Sequence, residues 1–403
     1  MVTYYVVKKK ERSERMPKSI YLDHAGTTFV KKEVLNEMLP YFTLKFGNPS
    51  SIYKLGQENK KAIEHAREQL AHALNAKPSE IFFTSGGSEA DNWALKGVAF
   101  ANKKRGNHII TSKIEHPAIL NTCKYLEQNG FQITYLSVDK YGMISLEELK
   151  TAIKSKTILI SIMYANNEIG TIQPINEIAK IAKEKDIYFH TDAVQAVGNL
   201  QIDVKKSGID LLSLSGHKFY GPKGVGALYI KEGVKIDNFI HGGGQELKRR
   251  AGTENVAGIV GIGKAVELAY KNFNTNNKKI INLREKLINE IIEKIPGSKL
   301  NGHRSKRLPG NVNFSFNGIE GASLVLMLNM KGISASSGSA CSSGATEPSH
   351  VLKAIGLDNN LAHGSIRFTI GEENTEKEID YVLKVLSESV EKLRGTNHAT
   401  HDI

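Results

Sequence analysis

Ser213-Leu214-Ser215-Gly216-His217-Lys218-Phe219-Tyr220-Gly221-Pro222-Lys223-Gly224 sets one lysine between a Ser-x-Ser-Gly-His run and a Gly/Pro-rich turn. Asp210-Leu211-Leu212-Ser213 just before it reads as a strand, and so does the apolar Ile187-Tyr188-Phe189-His190-Thr191-Asp192 upstream, which runs into an aspartate. The polar ends of two neighbouring strands would then meet around one ligand. An amine able to form a Schiff base, with a carboxylate to hold a pyridine nitrogen protonated, is what pyridoxal phosphate chemistry requires.

Outward from this stretch, apolar β-branched runs alternate with amphipathic segments from about residue 58 to 270. Strands are expected at 81–84, 108–111, 133–136, 158–161, 188–190, 211–213 and 226–229, with helices at 60–74, 88–101, 117–128 and 175–185. The alternation argues for an α/β fold with a largely parallel sheet between helices. Near 270 the pattern changes. Asn272-Phe273-Asn274-Thr275-Asn276-Asn277 reads as a polar turn, then a helix at 278–295, strands at 311–316, 332–335 and 364–369, and helices at 321–330 and 375–393. This reads as a smaller α+β domain.

At 403 residues the chain can bury two cores, and 40% hydrophobic with 24% charged residues is ordinary for a globular protein. No run of about 18 apolar residues suggests a membrane span. The short Tyr4-Tyr5-Val6-Val7 run, with its lysines on the far side, does not make a signal peptide, so a cytoplasmic protein with a mobile leader is expected. The net charge of +12 admits a nucleic-acid partner, but the basic residues are interleaved with acidic ones and nucleic acid is not indicated. Two cysteines exclude a disulfide framework. Cys123 lies in a helical pattern and reads as packed. Cys341 lies in Ser334-Ala335-Ser336-Ser337-Gly338-Ser339-Ala340-Cys341-Ser342-Ser343-Gly344, small residues that build no core and read as a mobile loop carrying a thiol.

Several short motifs fit a cofactor site. Thr84-Ser85-Gly86-Gly87-Ser88-Glu89-Ala90 follows a strand and opens a helix, where free N–H groups and Ser88 make a phosphate cradle; the same pattern also marks ordinary turns. His116, in Lys113-Ile114-Glu115-His116-Pro117, either caps a helix or stacks on a flat cofactor. Asn166-Asn167-Glu168 ends a strand with two amides that suit either a turn or a ligand. Arg367 stands alone in the apolar Ser365-Ile366-Arg367-Phe368, and a buried guanidinium needs a partner, either an internal carboxylate or a ligand's carboxylate.

Together these residues resemble the cysteine desulfurase family from about Ser19 to Leu393. The resemblance is carried by Tyr21-Leu22-Asp23-His24-Ala25-Gly26-Thr27-Thr28, Gly47-Asn48-Pro49-Ser50-Ser51, Ser85-Gly86-Gly87-Ser88-Glu89-Ala90-Asp91-Asn92, Glu115-His116 and Asn166-Asn167-Glu168-Ile169-Gly170. It continues through Thr191-Asp192-Ala193-Val194-Gln195, Ser215-Gly216-His217-Lys218, Arg250-Ala251-Gly252-Thr253, the Cys341 segment and Ser365-Ile366-Arg367-Phe368-Thr369. The Cys341 segment is similar to that of the subclass with a long, flexible cysteine loop. Gly26 stands where the family often has alanine, Phe29 where proline is usual, and Tyr53 where histidine is common.

The resemblance implies the pyridoxal-phosphate-dependent transferase fold type I, with a seven-stranded, mainly parallel sheet in a large domain (31–270). A small domain would comprise 17–30 and 271–395, flanked by the leader 1–16 and a tail 396–403. It implies pyridoxal 5′-phosphate bound by Gly87, Ser88, His116, Asp192, Gln195, Ser215, His217 and Lys218. Thr253 would come from the second subunit of a homodimer, and Asn167 and Arg367 would take the substrate carboxylate. Catalysis would fall to Lys218, His116 and Cys341, converting L-cysteine to L-alanine and leaving the sulfur on Cys341 as a persulfide for an iron–sulfur scaffold or another acceptor. No resident metal is implied, although the family leaves Cys341 open to transient iron–sulfur ligation. The end of the sequence lacks the aromatic and acidic tail with which housekeeping members dock their scaffold. Selenocysteine lyase or another pyridoxal phosphate enzyme of this fold is the nearer alternative, and a basic nucleic-acid-binding protein the remoter one.

Overall fold

The computed structural model describes residues 19–337 and 348–399. The expected leader 1–16, Cys341 and the last four residues lie outside them. In chain order the strands are β1 (Ile20–Tyr21), β2 (Ile81–Thr84), β3 (His108–Ser112), β4 (Gln132–Leu136), β5 (Thr157–Ser161), β6 (Tyr188–Asp192), β7 (Leu211–Ser215), β8 (Gly226–Ile230), β9 (Ser298–Leu300), β10 (Asn311–Phe316), β11 (Ile333–Ser334), β12 (Ser336–Ser337) and β13 (Ser365–Thr369).

β2 to β8 form one sheet in the order β2-β8-β7-β6-β5-β3-β4. The run from β7 to β4 is parallel, and β8 is antiparallel to both neighbours. All seven strands sit where the apolar runs place them. β3, β5, β7 and β8 are buried along their whole length, as expected where helices cover both faces. The crossover helix Pro117–Gln128 shows how the sequence builds this layer: proline occupies its first turn, His116 caps it, and Ile119, Thr122, Cys123 and Leu126 recur along the buried face. Helix Lys54–Leu74 packs closely on helix Val256–Lys271 because Gly263 has no side chain; a Cβ there would lie 2.7 Å from Ala66 Cβ.

A buried ion pair fixes one edge of this layer. Arg67 donates from both terminal nitrogens to Glu246, each at 3.0 Å, and to the Ile81 carbonyl at 2.7 Å. Glu246 in turn accepts from the Phe83 N–H. The pair anchors three consecutive non-glycine residues in left-handed backbone, Glu246, Leu247 and Lys248, with φ of 40°, 55° and 65°.

A second sheet, β12-β13-β10-β9, is antiparallel throughout. Val312, Phe314, Phe316, Ile366 and Phe368 form its core with helices Phe273–Lys294, Gly321–Met330 and Glu376–Ala399. Ile20 and Leu22 join the same cluster, and β1 pairs in parallel with β11. One expectation is corrected: 273–277 is helical, not a turn, because only Asn272 separates the end of helix Val256–Lys271 from the start of helix Phe273–Lys294. Tyr270 stacks on Phe273 at 5.4 Å and Asn277 donates to the Asn199 carbonyl, so tertiary contacts override the weak helix propensity of the asparagines.

Candidate functional site

Strands β6 and β7 are adjacent and parallel, with Asp192 opposite Ser213, so both end on the same sheet edge. Open α/β sheets bind ligands at that carboxyl edge. β7 runs into a short 3-10 turn, Gly216–Lys218, closed by the Gly221 N–H donating to the Gly216 carbonyl. The turn lifts Lys218 above the edge, where its Nζ donates to the carbonyls of Ala25 and Gly26 at 2.6 and 2.7 Å. Asp192 is buried, with one carboxylate oxygen accepting from the Val194 N–H at 2.9 Å. Burial pushes its pKa up, against the opposing pull of His116, that N–H and Lys218.

Between them lies a cavity of about 300 Å³. Gly87, Ser88, His116, Asn167, Asp192, Gln195, Ser215, His217, Lys218 and Arg367 all line it, so ten positions scattered over 280 residues of sequence share one wall. Thr253 is exposed and is not part of that lining, and Cys341 lies outside the described residues.

Each side chain has a local reason for its place. His116 Nδ1 accepts from the Ala118 N–H at 3.1 Å, so the residue caps its helix while its ring faces the cavity; the two roles coexist. Burial lowers its pKa, opposed by Asp192 and reinforced by Lys218. His217 is held by Thr27 Oγ1 at 3.0 Å, and burial with the Lys218 charge lowers it to about 4. Gln195 donates to the Ala25 carbonyl at 3.0 Å. Asn166 performs the turn chemistry, capping the N–H groups of Glu168 and Ile169, whereas Asn167 offers its carbonyl to Arg367. Arg367 also has an internal carboxylate partner, Asp23, at 2.7 Å.

Three contributors carried no role in the sequence reading. Asp91, one turn into helix Gly87–Ala101, lines the cavity with a buried carboxylate oxygen that has no hydrogen-bond partner, and burial raises its pKa well above the ordinary range. Glu115 is fully buried next to His116, accepts from Ser112 Oγ and the Met163 N–H, and is pushed up to about 8, chiefly by burial. His350 contacts the Glu115 carbonyl at 3.0 Å, which seats the chain segment beyond Cys341 beside His116. Asp91 was the most legible of these, since it lies three residues after Ser88 on the helix that carries the cradle.

The wall accepts a phosphorylated pyridine. Helix Gly87–Ala101 directs its free first-turn N–H groups at the cavity, and Gly87 lets the chain come close there: a Cβ would lie 2.6 Å from Val194 Cγ2 and 3.6 Å from Ser215 Cβ. A lysine amine, a buried carboxylate on the neighbouring strand and a phosphate cradle across the sheet edge define a pyridoxal-phosphate enzyme of fold type I.

Similarity to known proteins narrows the class. Residues 20–382 match the aminotransferase class-V family. The chain is 61% identical over 381 residues to "Cysteine desulfurase IscS" of Clostridium botulinum, covering 94% of this chain and 96% of that one. It is 60% identical over 383 residues to the protein of the same name from Methanosarcina thermophila, covering 95% of each. Among solved structures, a "NifS-like protein" superposes with a TM-score of 0.86 at 42% identity, over 92% of this chain and 98% of that chain. "SspA in complex with cysteine" does so at 0.78 and 41%, over 89% and 100%. The chain therefore belongs to the cysteine desulfurases of the class-V aminotransferase family, and pyridoxal 5′-phosphate is its cofactor.

Proposed function

We propose that this enzyme converts L-cysteine to L-alanine and passes the sulfur to Cys341 as a persulfide. The observation that carries the reading is the single cavity shared by Lys218, Asp192, His116 and Arg367. When bound, pyridoxal phosphate supplies an electron sink that acidifies the substrate Cα–H and makes the carbon–sulfur bond breakable. Asp192 would hold the ring nitrogen protonated, Gln195 would meet the ring oxygen and His116 would cover the ring face. Gly87, Ser88, Ser215 and His217 would hold the phosphate. Lys218 takes the Cα proton, while Arg367 and Asn167 orient the substrate carboxylate. Cys341 as thiolate attacks the substrate sulfur: a sulfur–sulfur bond forms, the carbon–sulfur bond breaks, and its electron pair stays on carbon. Protonation of that carbon, with Lys218 and His116 as the proton-carrying groups in reach, completes alanine.

Reach supports the role of Cys341. Ser336 and Ser337 pair with Arg367 and Ile366, and four residues from Ser337 span at most about 14 Å. A homodimer accounts for Thr253, exposed and outside the lining of its own cavity, and for the exposed Phe42, Leu44, Phe46 and Ile52, the last 95% accessible. On this reading 31–270 acts as the cofactor-binding domain and 17–30 with 271–395 as the smaller one. A reactive thiol suits the reducing cytoplasm. Among the described residues no helix is long and apolar enough to cross a membrane. An iron–sulfur scaffold or another thiol protein would accept the sulfur.

The test measures alanine and sulfide from L-cysteine in the presence of reductant, for the wild type, Cys341→Ala and Lys218→Ala. Lys218→Ala should lose both products and the absorbance of the lysine-bound cofactor; Cys341→Ala should keep that absorbance and lose turnover. Alanine release at the normal rate from Cys341→Ala would overturn the mechanism.

A further inference from the structure

Arg367 is 4% exposed, and the partners of its guanidinium are unequal. Nη1 donates to the Asn167 carbonyl at 3.0 Å, Nη2 donates to Asp23 Oδ1 at 2.7 Å, and Nε is buried with no hydrogen-bond partner. A carboxylate can be gripped by two parallel hydrogen bonds along either of two edges, Nε with Nη2 or Nη1 with Nη2. Both edges include Nη2, and that is the nitrogen Asp23 holds. Nη2 carries one N–H on each edge, so Asp23 takes one of its two hydrogens, and a ligand carboxylate gripped through the other lies beside the Asp23 charge.

The strap that carries Asp23 runs between the two halves of the site. Asp23 bridges to Thr369 on the strand of Arg367, and the Ala25 N–H donates to Thr369 Oγ1 at 2.9 Å. Two and three residues beyond Asp23, the Ala25 and Gly26 carbonyls accept from Lys218 Nζ. The strap turns tightly, with the Gly26 and Thr27 N–H groups both donating to the Asp23 carbonyl. Gly26 makes room for the carboxylate: a Cβ there would lie 2.4 Å from Asp23 Oδ2 and 3.0 Å from its Cγ. An alanine at this position would push the Asp23 side chain away from its present seat.

We propose that Asp23 sets the affinity of the site for α-carboxylates, as an internal carboxylate that shares the Arg367 guanidinium and opposes a second negative charge there. A carboxylate ligand binds Arg367 against the charge of Asp23, which weakens its hold. Weak ground-state binding of this kind favours release of the alanine product and does not tax a step in which substrate and transition state share the same carboxylate contact. The inference rests on the reading that Arg367 takes the substrate carboxylate.

The experiment titrates the pyridoxal-phosphate-loaded enzyme with L-alanine, which carries the carboxylate but no sulfur, and with ethylamine, the same amine without the carboxylate. Binding is read from the cofactor absorbance without turnover. Asp23→Asn and Gly26→Ala should each tighten L-alanine about tenfold, the change for relieving one nearby like charge, and leave ethylamine within roughly twofold. Gly26→Ala retains the charge and moves it, so it keeps the test alive if Asp23→Asn does not fold. Unchanged or weaker L-alanine binding in both variants, or equal tightening of ethylamine, overturns the proposal. Arg367→Lys separates the two layers. If it leaves L-alanine affinity unchanged, the carboxylate role of Arg367 falls and this inference with it. If it weakens L-alanine while Asp23→Asn fails to tighten it, the inference alone fails.

Discussion

Glu115→Gln should abolish the pH dependence that one buried carboxyl imposes on stability. Glu115 is 0% exposed, and burial is the main force raising its pKa from 4.5 to about 8; the Ser112 hydroxyl and the Met163 N–H oppose this, and the charge of Asp192 adds to it. Between those pH values the folded chain keeps a proton that the unfolded chain gives up. The stabilising contribution is therefore whole below about pH 4.5 and is lost as pH rises through about 8. Each tenfold change in proton activity across that window is worth about 1.4 kcal/mol, so from pH 5 to pH 8 the wild type loses up to roughly 4 kcal/mol through this group. Glutamine cannot ionise, and its amide can meet both Ser112 Oγ and the Met163 N–H. Urea unfolding at pH 5, 6.5 and 8 is followed by the fluorescence of Trp93, the one tryptophan of the sequence and fully buried. The variant's stability relative to wild type should climb by about 3–4 kcal/mol over that range. Taking the difference between the two proteins cancels Asp91, Asp192 and the histidines, insofar as they titrate alike in both. Parallel stability curves would refute the reasoning, since they would mean that Glu115 is already ionised at pH 5.

Three further substitutions test other parts of the molecule. Arg67→Ala leaves Glu246, the first of three left-handed residues, buried without its cation, and urea unfolding should show a loss of about 3–5 kcal/mol. Gly87→Ala puts a methyl group 2.6 Å from Val194 Cγ2 at the mouth of the phosphate cradle; pyridoxal phosphate titration should show at least roughly tenfold weaker binding, with a change in melting temperature of only a few degrees. Gly371→Ala would press a Cβ to 2.4 Å from His24 Cε1 and 2.6 Å from Tyr220 Oη, and thermal unfolding should show a loss of about 1–3 kcal/mol.

The seven strands were legible because each is a short apolar run, most of them buried along nearly their whole length, a pattern that survives without knowledge of its neighbours. Lys218 and Asp192 were legible for a related reason, as polar residues closing apolar strands. What escaped the sequence depends on partners far away along the chain. Arg367 plainly needed a counterion, but choosing Asp23, 344 positions earlier, over a ligand requires the fold. The Arg67–Glu246 pair spans 179 positions and gave no signal. β1, β9 and β12 hold only two or three residues each, too few for any periodicity. The Asn272–Asn277 run misled because its composition favours turns, while Tyr270, Phe273 and Asn199 hold it helical.

Asn272 also has a mechanical consequence. It is the single residue between a helix of 16 residues packed into the large sheet's core and one of 22 residues packed into the second sheet's core. The longer helix is about 33 Å from end to end, so a pivot of roughly 5° at Asn272 sweeps Lys294 through about 3 Å. The two cores thus meet like a pair of calipers with a one-residue fulcrum. The Asp23–Gly26 strap lies across the jaws, touching Arg367 on one side and Lys218 on the other, so the gap between them is gauged by four residues.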